Sequence, residues 1–374
     1  MGTETMTSEE RFLSAIRLEK PDRVPLAPQM STAAAVRLLG LESSKIPASG
    51  VDVQFAAHLE VFEAYGGWDA MNPIASAEGA ALAGLRVRIP TEGETQVQVV
   101  ESQSWSEEEY DEVARTGWPR FCAERLLPRV SQWAPEDAPA LLQKVMEDTL
   151  AFCAECRKRG VAPAFPMWTM PPFFSFSLTR SMVRFTEDLY YRPERVERAL
   201  KVAVPEYIEQ LIGLSRLTGC KIANITEERA GAFFYPLRVF ERFWWPYTVE
   251  IVDALWSEGI VSWFHLDTCW DKNLPYFKRL PRGSAVIDLD GTTDIFAAKE
   301  VLGGHHCIAS DVHPALLCLG TPEDVSAYCR RLISEIGRDG GFILSTGCTV
   351  PAAVKPENFR AFIDTGKTYE FAGR

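Results

Sequence analysis

The C-terminal half of the chain repeats one pattern: a short β-rich apolar run ends in polar residues and gives way to a segment of helical period. The runs are 221-KIANIT, 259-GIVSWFH, 284-SAVIDLD, 306-HCIAS and 341-GFILST, starting 38, 25, 22 and 35 residues apart. A hairpin needs only a few residues between strands. These distances fit a strand plus a crossover helix, and right-handed crossovers build a parallel sheet. Ala162 to Thr169 reads as an earlier member of the series. The segment 237-LRVFERFWWPYTVEIVDALWSEG has helical patterning and a terminal glycine, and 321-TPEDVSAYCRRLISEIGRDGG opens on Thr-Pro-Glu-Asp and stops at Gly-Gly.

Upstream, an N-terminal helix capped at Thr7 or Ser8 and running through Phe12, Leu13 and Ile16 precedes a first strand over Arg23 to Gln29. Leu85 to Val100 alternates valines with polar residues across a Pro-Thr-Glu-Gly-Glu turn, the signature of a hairpin. The charged stretch 105-WSEEEYDEVARTGWPR reads as a helix with a solvated face. No Ser/Gly linker or composition shift divides the chain. The expectation is one α/β domain over residues 1–374, a (β/α)₈ barrel with an N-terminal helix and an inserted hairpin and helical excursion over roughly 75–160. A doubly wound sheet fits less well, because no Gly-x-Gly-x-x-Gly turn follows the early strand.

Composition narrows the partners. The chain has 39 basic and 51 acidic residues, a net charge of −12, which argues against a broad phosphate-neutralising face for nucleic acid. Nine cysteines, an odd number, are scattered from Cys122 to Cys348, and the opening residues lack the basic and apolar regions of a secretory leader. A disulfide framework is not expected, and the expected location is cytoplasmic. The uncharged run Val161 to Thr179 contains Pro163, Pro166, Pro171 and Pro172, which break helical hydrogen bonding, so it is read as a strand followed by an aromatic loop and not as a membrane span.

A parallel barrel carries its chemistry at the C-terminal ends of its strands. Those ends supply Glu227 and Glu228, His265 and Asp267, Asp288 and Asp290, Asp311 and His313, and Cys348. Strand ends meet water and gather polar residues in any case, so no single one of them is diagnostic. The combination says more: His265, Asp267 and Cys348 offer an imidazole, a carboxylate and a thiolate, which Zn²⁺ accepts while keeping a fourth position open. Cys269 and Glu228 are competing ligands. The stretch 165-FPMWTMPPFFSFS, with Trp168, Phe173 and Phe174, is expected around the mouth of an apolar pocket suited to an aromatic methyl ether or to the face of a corrin ring, with core packing as the alternative.

Three short matches carry no function. The sequence 365-TGKT lacks the glycine that a phosphate-binding loop needs five positions before Gly366, since Ala361 stands there. Cys153 and Cys156 lie in a helical stretch without thioredoxin-like context. Asp311-Val312-His313 begins like a corrinoid-binding Asp-x-His-x-x-Gly, but Leu316 occupies the glycine position.

The opening 9-EERFLSAIRLEKPDRVP, the helix start 235-YPLRVFERFWWPY and the closing 320-GTPEDVSAYCRRLISEIGRDGGFILSTGCTVP together resemble the uroporphyrinogen decarboxylase superfamily. The resemblance spans most of the chain outside roughly 70–160. It implies a (β/α)₈ barrel and one of two chemistries, tetrapyrrole decarboxylation or zinc-dependent methyl exchange with a corrinoid. Decarboxylases of the family resemble one another in an arginine-rich stretch after the first strand, whereas here that place reads 24-VPLAPQMSTAAAV, with no arginine until Arg37. A tetracarboxylate without that cluster lacks its forked cationic partners. The corrinoid-linked methyltransferases carry a His-x-Cys pair and a distant Cys in a Gly-Cys segment. His265 and Cys348 match the first and last ligands, and Asp267 stands where the family has Cys.

The expectation is therefore a zinc-dependent methyltransferase moving a methyl group between a small molecule and the cobalt of a corrinoid carried by a separate protein. Glu227 or Glu228 is expected to position substrate or act as general acid, and Asp290 and Asp311 to support the strand ends or orient His265. A carboxylate is a harder, less donating ligand than a thiolate, which leans the expectation toward an oxygen substrate such as a methoxylated aromatic, that is, toward O-demethylation. The rivals are a metal-independent decarboxylase of a porphyrinogen-like acid using Asp290 or Asp311, and a non-catalytic partner of a corrinoid protein.

Overall fold

The computed structural model describes residues 4–41, 49–88 and 98–369. Helix α1 (Ser8–Ile16) begins at Thr7, whose side chain accepts the Glu10 N–H while the Glu10 carboxylate accepts the Thr7 N–H, a reciprocal capping box. The strands are β1 (Ala70–Met71), β2 (Arg86–Arg88), β3 (Gln98–Val100), β4 (Ala162–Pro163), β5 (Ile222–Glu227), β6 (Val261–Leu266), β7 (Ala285–Leu289), β8 (Cys307–Ala309) and β9 (Phe342–Ile343).

The last five form one parallel sheet in the order β5-β6-β7-β8-β9, with His265 of β6 in register with Asp288 of β7. The repeat read from the sequence thus produces an α/β fold in which sequential strands are neighbours. Further backbone bonds extend the order at both edges. Leu344 N–H donates to Pro25 O at 2.9 Å, Ala70 N–H to Leu26 O at 3.1 Å, Ala164 N–H to Met71 O at 2.8 Å and Thr226 N–H to Thr169 O at 2.9 Å. The expected first strand over 23–29 is therefore represented by a parallel bridge, Leu26 to Leu344, and these few bonds.

Ala27, Ala70, Ile222, Trp263, Val286 and Ile343 share a buried apolar cluster with Phe12, Ala15 and Ile16 of α1. Helix α1 closes the N-terminal end of the strands with its apolar face. Its charged face is tied down beneath: Asp69 is fully buried, accepting from Arg11 Nη1 at 2.7 Å, Arg23 Nη1 at 2.6 Å and the Leu26 N–H at 2.8 Å. Removing one partner of such a pair leaves buried charge uncompensated. Asp69→Ala is expected to lower unfolding free energy by about 3–5 kcal/mol, read from denaturant unfolding. A change within experimental error would contradict this account of how α1 is anchored.

Two expectations about local structure are corrected. The residues after the tandem prolines form a helix, Pro172–Thr179, and not a loop; Pro172 sits at its first turn, where no N–H is needed, and all eight residues are buried, which erases the periodicity that would mark a helix. The segment 237–259 is two helices, Leu237–Phe243 and Trp245–Ser257, because Pro246 lacks the N–H to continue the first and starts the second. The inserted hairpin is present as the antiparallel pair β2–β3, and its turn lies outside the described residues. Among the described residues no helix is long and apolar enough to cross a membrane.

Candidate metal centre

Side chains alternate between faces along a strand, so Trp263, His265 and Asp267 follow one another up the same side of β6 and past its end. His265 is buried beneath the strand ends, and its Nδ1 meets Asp288 Oδ2 at 2.8 Å. Asp288 is itself fixed by donors from three other places: Gln29 Nε2 at 2.8 Å, Trp263 Nε1 at 3.0 Å and the Ser310 hydroxyl. With Nδ1 committed to a carboxylate, Nε2 faces outward. It lies 3.5 Å from Asp267 Oδ1, and the donor atoms of His265, Asp267 and Cys348 all fall within 4.8 Å of one another.

Asp267 Oδ1 is buried and has no hydrogen-bond partner among the described residues. An orphaned carboxylate oxygen between an imidazole nitrogen and a thiol is the arrangement that a divalent metal satisfies, and this donor set suits zinc. The Asp288–His265 contact adds the carboxylate that holds a ligating imidazole in one tautomer.

The backbone carries these donors at some cost. Thr268 follows Asp267 with φ at 68°, a conformation that costs a β-branched residue about 1–3 kcal/mol. Its N–H donates to Asp290 Oδ2 at 2.8 Å and its hydroxyl to the Glu228 carbonyl at 3.1 Å, which hold the turn. On the other side, a Cβ at Gly347 would meet the Asp290 carbonyl oxygen at 2.5 Å, so only glycine lets the chain bring Cys348 this close.

The acids divide by role. For Glu228, burial and then the Asp267 charge push the carboxyl up to about 7, and burial raises Asp267 as well. Burial alone would lower His265, but the Asp288 charge and hydrogen bond outweigh it and raise this imidazole well above the ordinary range. Glu227 faces the other way. Its Oε1 accepts the Arg229 and Ala230 N–H groups at 2.9 and 3.2 Å and its Oε2 the Trp244 indole at 2.7 Å, while burial pushes it up to about 8. The structure therefore gives Glu227 the task of holding the loop after β5.

Asp290 uses both oxygens on the Thr268 and Thr292 backbones, and Asp311, pushed up to about 7 by burial, accepts the Tyr328 hydroxyl at 2.7 Å. Both support strand ends; the residue that orients His265 is Asp288. Its register opposite His265, which only the paired strands reveal, assigns it.

Trp168 stands edge-on to His265, ring centroids 5.7 Å apart, and its indole donates to the Pro73 carbonyl at 2.8 Å. Phe173 and Phe174 do not join it. Phe173 packs on Phe185 and Tyr235, and Phe174 lies in a buried cluster with Leu85 and Leu178, so both belong to the core. Cys269, a competing ligand by sequence, donates to Asp271 at 3.2 Å and stands outside the three-donor group.

Residues 172–369, just over half of the chain, match the family model described as uroporphyrinogen decarboxylase (URO-D). The chain is 26% identical over 224 residues to the uroporphyrinogen decarboxylase of Cellvibrio japonicus, which covers 55% of this chain and 58% of that protein. It is 30% identical over 83 residues to that of Azoarcus sp., covering 22% of this chain and 23% of the relative. The matches thus span less than two thirds of these relatives' lengths. Among solved structures, a methyltransferase from Methanosarcina mazei shares the fold at a TM-score of 0.70 and 16% identity, covering 97% of this chain and 99% of that one.

Proposed function

The chain belongs to the uroporphyrinogen decarboxylase family, and from that premise we infer that it is a zinc-dependent methyltransferase working with a separate corrinoid protein. The carrying observation is the group of His265, Asp267 and Cys348 donor atoms within 4.8 Å, one of them an orphaned buried oxygen. The likeness of fold to a methyltransferase supports the same branch. The circuit of backbone bonds from 25–27 through β1, β4 and Thr169 to β5–β9 and back to Pro25 supports a closed (β/α)₈ barrel. In that barrel the donors stand at the C-terminal mouth, where such folds keep their active sites.

Zinc held by His265 Nε2, Asp267 and Cys348 would supply Lewis acidity toward a substrate heteroatom. The protein's own groups do the rest. Asp288 fixes the imidazole, with Gln29, Trp263 and Ser310 fixing Asp288 in turn. Trp168 walls the site beside His265 with an apolar face. Glu228, whose carboxyl interacts with that of Asp267, is the acid that gives a proton to the oxygen left behind by a departing methyl group. With Asp267 in place of a second thiolate, the favoured substrate is a methoxylated aromatic or similar small ether, and the methyl group passes to the cobalt of the partner's corrinoid.

A decarboxylase reading is favoured by the relatives' names, but the residues do not support it. The two aspartates it would use, Asp290 and Asp311, are engaged in loop and helix contacts. The stretch after Leu26 offers Gln29 and Ser31 where forked cations would be needed. The test is spectroscopic: the zinc-loaded protein with a reduced corrinoid protein and aryl methyl ethers is expected to convert the corrinoid spectrum to the methylated form. No change with any ether, thiol or folate methyl compound, or carbon dioxide release from a porphyrinogen acid, would overturn the reading.

A further inference from the structure

One step along each strand from the apolar cluster above α1, the interior face turns polar. Ala27, Ala70, Ile222 and Trp263 belong to that cluster, and two residues further on, returning to the same face, stand Gln29, Asn72, Asn224 and His265. His265 belongs to the proposed metal set. The other three are amides with atoms that find no hydrogen-bond partner among the described residues: Gln29 Oε1, Asn224 Nδ2 and both polar atoms of Asn72. They are 1%, 1% and 8% exposed, respectively. Buried amides left open in this way carry a desolvation cost that the fold itself does not offset, and a ligand can.

The open atoms are fixed in kind. Asn224 Oδ1 accepts the Thr169 N–H at 3.0 Å, so its NH₂ is the free end. Gln29 Nε2 donates to Asp288, so its carbonyl is the free end. Asn72 is open at both ends, whichever way its amide is turned. Gln29 touches the metal set directly, and the other two are linked to it through their neighbours. Gln29 Nε2 lies 3.4 Å from His265 Nδ1, Thr226 just beyond Asn224 is in register with His265, and Pro73 beside Asn72 holds the Trp168 indole.

This wall offers donors at Asn72 and Asn224 and acceptors at Asn72 and Gln29. A carboxylate would satisfy only the donors and would leave the carbonyls of Gln29 and Asn72 without a partner. We propose that Asn72, Asn224 and Gln29 form a binding subsite for an uncharged group that both donates and accepts hydrogen bonds, of the carboxamide class, on the small molecule that carries the methyl group. The subsite rests on the reading that such a molecule enters beside His265.

The test compares binding of 4-methoxybenzamide and 4-methoxybenzoate to the zinc-loaded protein by calorimetry, in the parent, Asn72→Leu and, should that variant not fold, Asn72→Ala. The parent is expected to prefer the amide by at least about tenfold, and the variant to bring the two within about threefold. The melting temperature of Asn72→Leu is expected to equal or exceed the parent's, since leucine of similar size removes two unpaired atoms; a purely structural asparagine would lower it. Equal binding of the two compounds, preference for the carboxylate, binding of neither, or an intact amide preference in the variant overturns the subsite. Zinc content and methyl transfer to the corrinoid, measured on the same preparations, report separately on the methyltransferase reading. Zinc and transfer without amide preference defeat the subsite alone.

Discussion

Replacing Cys348 with alanine is expected to strip zinc from the purified chain and to lower methyl transfer by about a hundredfold or more, since even partners one shell beyond a metal ligand are worth 10–100-fold. Cys348 supplies the sulfur of the three-donor group. Its thiol is half-buried at a strand end, outside the hydrophobic clusters that make the core. Fold and metal should therefore separate: circular dichroism and the unfolding midpoint of the metal-free forms should stay near the parent's while zinc per chain falls. Cys122, Cys307 and Cys329 are fully buried core thiols, and alanine at any of them should do the reverse, costing stability and sparing zinc. Equal zinc in Cys348→Ala and parent would remove this residue from the site.

The second large effect is expected at Asp288, which no metal would touch. Its carboxylate collects His265 Nδ1, Gln29 Nε2, Trp263 Nε1 and the Ser310 hydroxyl. Asp288→Asn keeps the shape and one accepting oxygen, but it puts an NH₂ against the Ser310 hydroxyl and removes the charge that favours a proton on Nδ1. The imidazole is then held by a neutral and weaker acceptor, and zinc affinity should fall by about 10–100-fold, measured by competition with a chromogenic chelator. Asp288→Leu should add a stability loss, because each buried donor left unpaired costs about 1–3 kcal/mol. Parental zinc affinity in Asp288→Asn would mean that His265 is held by packing alone.

The strands and their order were legible because each apolar run closes on polar residues and is followed by a punctuated helix. The capping boxes at Thr7/Glu10 and Thr321/Asp324 could be read from spacing alone. The helix Pro172–Thr179 was hidden because burial on every side leaves no polar face to reveal the period. At the site, the sequence named the three residues that the structure brings together, all read from the polar ends of the apolar runs, with the family pattern matching His265 and Cys348. It left Asp290 and Asp311 either supporting the strand ends or orienting His265, because strand ends alone do not say which positions share a level. That depends on register between strands, and the pairing of His265 with Asp288 decides it. The amide wall stayed invisible for the same reason. Gln29, Asn72 and Asn224 are ordinary polar residues until the sheet places them on one face above an apolar floor.

A metal held by one imidazole, one carboxylate and one thiolate leaves a distinct signature in X-ray absorption at the zinc edge, recorded on the protein as purified from zinc-supplemented medium, with elemental analysis of the same sample. The expected result is about one zinc per chain with one sulfur near 2.3 Å and the remaining ligands nitrogen or oxygen near 2.0–2.2 Å. Far less than one zinc per chain, or a zinc shell without sulfur, would contradict the account.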